Sequence, residues 1–406
     1  MKICTLLAIG AVLSALQAKP GERGQPDGLI GALRHVQLLE VTEQEPRTMR
    51  FATATLTGVA LYERTLSDRS VLGEPDQVIE LGFRVLPLAT WGDRVPWRVL
   101  ESGEGSWLVV LDRESEDLVV HDLSRGEEVA RLRQVTVLED ARVREGRLEV
   151  LVRRDETLDL AVVEPAGGAV EQTMLIDTGP PPATACFVTS PPNTPAPEAA
   201  VVATNERGQV FATCVDLSAH RAVRVATQFP RSGYPLYVAA RRVDGTDLIA
   251  IGTPMFSDHS GRVGLVAFDS EGRTGIERFV FPYGWAEDDD RSGTWATEYG
   301  RTLAFTVDAD DDGHPDLAVG ATGESVLSHV DIVTSAECTS RARVVSPAYW
   351  YRTGSSISVD PRGRYVLTGG GFRTYPELLD GPAEAVLIDV QRPDDPVITS
   401  FLSQRP

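Results

Sequence analysis

Four aspartates in the segment 307–320 are spaced so that they can surround one hard cation. They stand at positions 1, 3, 5 and 9 of a short loop and are Asp308, Asp310, Asp312 and Asp316. Gly313 stands at position 6, where such a loop turns sharply, and the backbone carbonyl of His314 can add a ligand at position 7. Calcium takes six to eight oxygen ligands, and alternate carboxylates on a tight loop can supply them. The spacing therefore predicts a calcium site.

The loop departs from the EF-hand pattern, because position 12 is Val319 and not a bidentate Glu. The residues Leu317 to Val319 instead predict a strand directly after the loop. Asp311 lies outside the alternating set and is expected to face solvent. The alternative interpretation is a solvated acidic turn with no ion.

Catalytic sets are harder to find in this sequence. Asp258, His259 and Ser260 are adjacent, but a nucleophilic triad is a spatial arrangement and not a run of neighbours. The remaining histidines considered for metal binding have no ligand spacing, and they are His35, His121, His220 and His329. We therefore assign no catalytic residue from the sequence.

A recurring pair of apolar strands predicts the fold. In each unit an apolar run is followed by a turn and a second apolar run, and the second run ends near an acidic residue. These acidic residues are Glu63, Asp122, Glu164, Asp216, Asp269 and Asp389. A weaker unit lies near Val330 to Thr334. Seven units predict an all-β propeller of seven blades, each with four antiparallel strands. The alternative is a pair of ordinary β-sandwiches without circular closure.

The calcium-type segment resembles a known repeat. Residues 299–320 are similar to an FG-GAP (VCBS-type) repeat, as found in the integrin alpha-subunit propeller: Tyr299-Gly300 stands where that family has Phe-Gly, and Ala321-Thr322 where it has Ala-Pro. The resemblance covers 233–334, about a quarter of the chain. It implies that the ion sits in a hairpin loop of one blade and stiffens it.

The preceding unit, from Gly233, is similar to the same repeat but lacks its metal loop. Arg241 and Arg242 stand where early carboxylates are needed, and the loop is predicted to be one residue shorter. An Arg–carboxylate contact is expected there in place of the ion.

The start of the chain and its charge indicate where the protein works. Residues 1–18 resemble a secretory signal, with Lys2 before a short apolar run and Ala18 before the cleavage point. The mature chain, 19–406, is expected to be one soluble propeller domain without a membrane span, extracellular or periplasmic. A net charge of −20 disfavours binding to nucleic acid or anionic membranes.

Three cysteines remain after cleavage: Cys186, Cys214 and Cys338. One disulfide is possible in an oxidising compartment, and the sequence does not choose the pair. Buried, inert thiols are the alternative.

Two segments interrupt the strand pattern and suggest where a ligand binds. Ile176 to Pro197 is rich in proline and is predicted to be mostly loop, with a short strand possible at Cys186 to Val188. Residues 283–297 are predicted to be an enlarged, acid-rich loop segment with Trp285 and Trp295, which can stack on sugars or anchor a protein partner.

Three functions are compatible with this sequence. The first is a calcium-stabilised module for binding or adhesion to an unidentified protein or glycan. The second is a propeller enzyme, a lyase or glycoside hydrolase acting on extracellular polysaccharide, which would need a pocket with clustered carboxylates at the central channel. The third is a scaffold with no ligand besides calcium.

Overall fold

The structure is a computed structural model. It describes residues 36–54, 58–66, 76–83, 97–112, 114–165, 169–178, 181–191, 194–219, 221–226, 236–254, 261–268, 278–280, 298–322, 329–345, 354–371, 383–393 and 397–401. Within these ranges every regular element is a β-strand and no helix is present. The described part of the chain accordingly has no helix of the length and apolar content that crossing a bilayer requires.

The strands form seven sheets of four, which we call blades 1 to 7 in chain order. Blade 1 contains β1 (Val36–Val41), β2 (Thr48–Ala54), β3 (Gly58–Thr65) and β4 (Gln77–Glu80). Blade 2 contains β5 (Trp97–Ser102), β6 (Gly105–Asp112), β7 (Asp117–Asp122) and β8 (Glu127–Leu132). Blade 3 contains β9 (Val137–Arg144), β10 (Arg147–Arg154), β11 (Thr157–Glu164) and β12 (Ala169–Ile176). Blade 4 contains β13 (Pro182–Phe187), β14 (Ala199–Glu206), β15 (Gln209–Asp216) and β16 (Arg221–Ala226). Blade 5 contains β17 (Tyr237–Val243), β18 (Thr246–Gly252), β19 (Val263–Phe268) and β20 (Arg278–Val280). Blade 6 contains β21 (Thr302–Phe305), β22 (Asp316–Ala321), β23 (His329–Thr334) and β24 (Thr339–Val345). Blade 7 contains β25 (Ser356–Val359), β26 (Tyr365–Gly371), β27 (Ala383–Asp389) and β28 (Val397–Phe401).

The blades close into a ring, which confirms the predicted seven-bladed propeller. All pairings inside the blades are antiparallel between consecutive strands, as in β21, β22 and β23. The first strand of each blade, which we call its inner strand, lies beside the inner strands of both neighbouring blades, and β1 lies beside β25. Because the strands alternate in direction, the first-to-second and third-to-fourth connections lie on one face and the others on the opposite face.

The core consists of seven apolar layers, one at each border between neighbouring blades. The middle strands supply most of it because both of their faces are covered; every residue of β22 and β23 is buried. Between blades 5 and 6, for example, Leu265 packs with Phe305 and Leu317. The layer between blades 7 and 1 joins Leu367 and Leu387 to Phe51, so apolar packing continues around the whole ring.

Two of the borders bring glycines of neighbouring blades into direct backbone contact. A Cβ atom on Gly252, at the end of β18, would lie 1.9 Å from the carbonyl oxygen of Gly300. A Cβ atom on Gly320, in β22, would lie 2.3 Å from the carbonyl oxygen of Gly354. Blade 5 therefore contacts blade 6 through the same kind of glycine pair through which blade 6 contacts blade 7. The packing at these two borders is thus repeated.

The proline-rich segment from Ile176 to Pro197 contains more strand than predicted. The inner strand of blade 4 begins at Pro182, a position that proline tolerates because it opens the strand. Beyond it, Thr189 makes an isolated bridge with Arg241 of blade 5. The short strand predicted at Cys186 to Val188 is present, but it begins earlier, at Pro182, and ends at Phe187. Ile176 also belongs to a strand, as the last residue of β12.

The three described cysteines form no disulfide. Cys186 and Cys214 lie on β13 and β15, each paired in register with Val201 of the strand between them. Two strand spacings amount to about 9.5 Å, and a disulfide needs Cα atoms within about 7 Å. Cys338 belongs to blade 6, so the possible bridge is not made.

We expect Gly252→Ala to weaken the ring at the border of blades 5 and 6, because the new methyl group overlaps the Gly300 carbonyl. Overpacking of this kind costs about 2–3 kcal/mol of unfolding free energy. Urea denaturation measures the loss. Gly103→Ala is the matched control, because nothing lies within 4 Å of its added Cβ; equal losses in the two variants would contradict close packing at this border.

Candidate metal centre

The aspartate-rich segment forms the first-to-second connection of blade 6. The inner strand β21 ends at Phe305, and β22 begins at Asp316. We call residues 306–315 the acidic loop. At its base, the Thr306 amide donates to the Asp316 carbonyl at 2.9 Å, and the Asp316 amide donates to the Val307 carbonyl at 3.2 Å. The sheet ladder therefore fixes both ends of the loop.

The loop is folded by its own side chains. The Asp308 carboxylate accepts from the amides of Asp312 at 3.1 Å and Gly313 at 2.8 Å. The Asp312 carboxylate accepts from the His314 amide at 2.8 Å. Asp311 and Gly313 have φ angles of 60° and 85°, a left-handed geometry that suits Asp and Gly better than most residues. These contacts turn the backbone tightly at the predicted position.

Three of the predicted ligands converge. Asp308, Asp310 and Asp312 each offer a carboxylate oxygen, and these oxygens all lie within 4.8 Å of one another. Two unit charges about 4 Å apart repel by only about 1 kcal/mol in bulk water. Asp310 and Asp312 are exposed, so this convergence is compatible with an ion but does not by itself require one.

Asp316 differs from the other three predicted carboxylate ligands because the residue is fully buried, with 0% of its surface exposed. Oδ2 accepts from a guanidinium nitrogen of Arg341 at 2.9 Å, while Oδ1 is buried and has no hydrogen-bond partner among the described residues. A buried carboxylate oxygen without a hydrogen-bond partner lowers the free energy of unfolding by about 1–3 kcal/mol or more. The presence of such an oxygen in Asp316 therefore requires a physical explanation.

Burial raises the pKa of the Asp316 carboxyl to about 7. The Arg341 guanidinium opposes the shift, and the carboxylates of Asp310, Asp312 and Asp308 reinforce it. The negative field of the acidic loop therefore reaches Asp316, although the loop carboxylates lie nearer to solvent. A divalent cation among these four groups would reverse the effect of that field and favour the ionised form.

The structure describes only some of the other residues that the sequence analysis considered. The His314 side chain is exposed, so its expected contribution remains that of the backbone carbonyl. Trp285 and Trp295 lie outside the described residues, as do Asp258 to Ser260. His121 and His329 lie in blades 2 and 6 respectively, with no shared metal cluster among the described residues.

Arg341 is the residue that sequence analysis missed. It stands on the outer strand β24, 25 residues after Asp316, and donates to Asp316 Oδ2 and to the Val390 carbonyl of blade 7, at 2.9 and 2.7 Å. The sequence around it, Thr339–Val345, carries two further polar side chains and one other arginine, so no local signal distinguishes it.

Blade 5 has a different structure at the equivalent position. The ladder of β17 and β18 continues to the Val243–Thr246 pair and closes through Asp244 and Gly245, which both have positive φ. The pair Ala240–Ile249 of blade 5 corresponds to the pair Phe305–Leu317 of blade 6. Between the paired residues lie eight residues in blade 5, 241–248, and eleven in blade 6, 306–316. The loop is thus three residues shorter, and the prediction of one was wrong because the ladder extends further.

The expected Arg–carboxylate contact in blade 5 is present. The Arg242 guanidinium donates to both carboxylate oxygens of Asp247, at 2.6 and 2.8 Å. Neighbouring Arg241 is buried and donates to the Thr306 carbonyl at the base of the acidic loop, at 2.7 Å. A fixed side-chain cation therefore neutralises the blade 5 hairpin.

Comparison with known proteins shows the fold alone. No protein-family model and no curated protein matches the sequence. Among solved structures, hydrazine synthase of Kuenenia stuttgartiensis is similar, with a TM-score of 0.54 and 11% sequence identity over 86% of this chain and 95% of that one. Because 624 solved chains match, the likeness identifies a common architecture. At this identity it carries no activity over to this chain.

The raised pKa of Asp316 predicts how stability depends on pH in calcium-free buffer. The folded-state pKa of about 7 exceeds the ordinary value of 3.8, so the folded protein binds more protons between these values. Its unfolding free energy should therefore fall as pH rises from about 4 to 7, with the full loss reached above pH 7.

Asp316→Asn removes the titrating group, so we expect a smaller loss of unfolding free energy between pH 5 and pH 8 than in the wild type. Urea denaturation at both pH values measures it. Asp311→Asn, an exposed neighbour, should keep the wild-type dependence. The same slope in wild type and Asp316→Asn would show that Asp316 does not titrate in this window.

Proposed function

We propose that this chain is a calcium-binding β-propeller in which one Ca²⁺ occupies the acidic loop of blade 6. The observation that carries the proposal is the buried Asp316 Oδ1, which has no hydrogen-bond partner among the described residues and lies within the field of three converging carboxylates. Asp308, Asp310, Asp312 and Asp316 would supply carboxylate ligands, and His314 a backbone carbonyl. Calcium prefers such an all-oxygen set.

The proposed role of the ion is structural. A ligand that binds only the folded state stabilises it by about 2.7 kcal/mol at a hundredfold excess over Kd. Extracellular calcium sites commonly have Kd values of about 10⁻⁴–10⁻³ M. A site of that strength would be filled outside the cell, in keeping with the secretory signal predicted for residues 1–18.

The FG-GAP resemblance is part of this proposal. Tyr299-Gly300 lies at the border of blades 5 and 6, with Tyr299 fully buried, and Gly320 lies at the border of blades 6 and 7. Through these contacts, Gly300 packs against blade 5 and Gly320 packs against blade 7. This supports treating blades 5 and 6 as two copies of one repeat type, of which only blade 6 keeps the acidic loop.

We further propose that the propeller acts as a secreted binding, adhesion or scaffold module. In chain order, the segment with Trp285 and Trp295 follows β20 of blade 5 and precedes β21 of blade 6. Its two tryptophans can stack on sugars or anchor a protein partner. A glycan array and affinity capture from the native surroundings would identify such a partner, and wild type and Trp285→Ala should then differ in binding.

The calcium proposal predicts that Asp310→Asn weakens binding of Ca²⁺ by more than tenfold, since it removes one converging charge. No described hydrogen bond inside the loop uses the Asp310 side chain, so the backbone fold should persist. Isothermal titration with calcium chloride measures Kd, and thermal unfolding with and without calcium measures the stabilisation.

Asp311→Asn is the matched control. It makes the same chemical change at the next residue, whose positive φ asparagine tolerates. Its calcium affinity should stay close to that of the wild type. A wild-type protein whose melting temperature is unmoved by calcium, with no heat of binding, would overturn the calcium proposal.

A further inference from the structure

Blades 7 and 1, the last and the first in chain order, meet at one border of the ring. Each blade is built from consecutive strands, so the chain links blade 1 to blade 2 and continues in order to blade 7. Among the described residues, blade 7 meets blade 1 through side-chain hydrogen bonds and apolar packing. We call this border, between β25–β27 and β1–β3, the closing seam.

The seam is held by polar contacts as well as by its apolar layer. The hydroxyls of Ser356 and Ser358 accept from the amides of Val36 and Leu38, at 3.1 and 2.9 Å. At the end of the strands, Glu43 accepts from the Arg364 guanidinium at 3.1 Å and from a hydroxyl of blade 7, that of Tyr365, also at 3.1 Å.

The acidic loop contacts the blade 7 segment that makes these seam contacts. The Val307 amide, next to Asp308, donates to the Gly363 carbonyl at 2.8 Å. Gly363 directly precedes the two residues that hold Glu43. A Cβ atom on Gly363 would lie 3.2 Å from the Val307 nitrogen, so the two backbones touch.

A second route leads from Asp316 to the same segment. Arg341 donates to Asp316 Oδ2 at 2.9 Å and to the Val390 carbonyl at 2.7 Å. The Val390 amide in turn donates to the Arg364 carbonyl at 3.0 Å. Arg364 also holds Asp389 with two hydrogen bonds, at 3.1 and 2.7 Å. The first route from the acidic loop therefore ends at Gly363, and the second ends at its neighbour Arg364, which donates to Glu43 of blade 1.

We propose that calcium binding in the acidic loop stabilises the closing seam, so that the ion acts on closure of the whole ring and not only on its own hairpin. This inference rests on the proposed calcium site. An ion fixes the positions of Val307 and Asp316, which fixes the Gly363–Tyr365 segment, and that segment holds Glu43. Coupling between two sites is reciprocal, so a weaker seam must lower calcium affinity.

Reciprocity gives the first test, with full-length protein and calcium chloride in isothermal titration. Glu43→Gln weakens the seam without touching the acidic loop and should raise the Kd for calcium by about threefold or more. Glu101→Gln is the control, because it makes the same charge change at the border of blades 1 and 2, where Glu101 pairs with Arg50 at 2.8 Å. Its Kd should match that of the wild type.

Hydrogen exchange of the wild-type protein gives an independent second test, which does not depend on how any variant folds. Calcium should slow amide exchange at least severalfold in 303–320 and also in the seam segments 36–51 and 354–371. The sheet 137–164 of blade 3 serves as the internal control and should exchange equally with and without calcium.

The outcomes separate the two proposals. Calcium binding that protects 303–320 but leaves both seam segments unchanged would overturn the coupling while keeping the metal site. Equal Kd values for Glu43→Gln and Glu101→Gln would overturn it as well. A wild-type protein that does not bind calcium would overturn the metal site, and the coupling with it.

Discussion

The structure depends on covering the exposed edges of seven inner strands. Each inner strand pairs with its own blade on one side only, so its other edge presents unpaired amides and carbonyls. Side chains of neighbouring blades supply partners: Gln37 exchanges two hydrogen bonds with the Val99 backbone, at 2.6 and 2.8 Å, and Asp140 accepts from the Phe187 amide at 2.9 Å. In both cases the side chain comes from the preceding blade, so these hydrogen bonds form only when neighbouring blades pack side by side.

The close approach of the inner strands also brings the first-to-second connections of neighbouring blades into contact. Each begins where an inner strand leaves the centre, beside the connections of two neighbours. Arg241 of blade 5 reaches the base of the acidic loop, and Gly363 of blade 7 reaches its first turn. The acidic loop of blade 6 is therefore in hydrogen-bond contact with both neighbouring blades.

Sequence patterns predicted the parts of the fold in which both faces of a strand are buried. The recurring strand pairs correspond to the second and third strands of the blades, such as β14 and β15, where apolar residues dominate. Outer strands such as β8 and β24 mix charged and polar residues with apolar ones in no regular order and gave no repeat signal. At the site, spacing predicted the three converging aspartates. It could not predict Arg341, because that contact depends on which outer strand folds over which inner turn.

The carboxylates in the first hairpins of blades 5 and 6 have different cationic neighbours. In blade 5 a two-residue turn closes the hairpin, and Arg242 neutralises Asp247 with two hydrogen bonds. In blade 6 the longer loop brings three carboxylates together, and Arg341 donates to only one oxygen of the buried Asp316. A covalently attached cation is always present, whereas a divalent ion is present only where its concentration is sufficient. Under the calcium proposal, the stability of blade 6 and of the neighbouring blades would therefore depend on the calcium concentration of the medium, whereas that of the blade 5 hairpin would not.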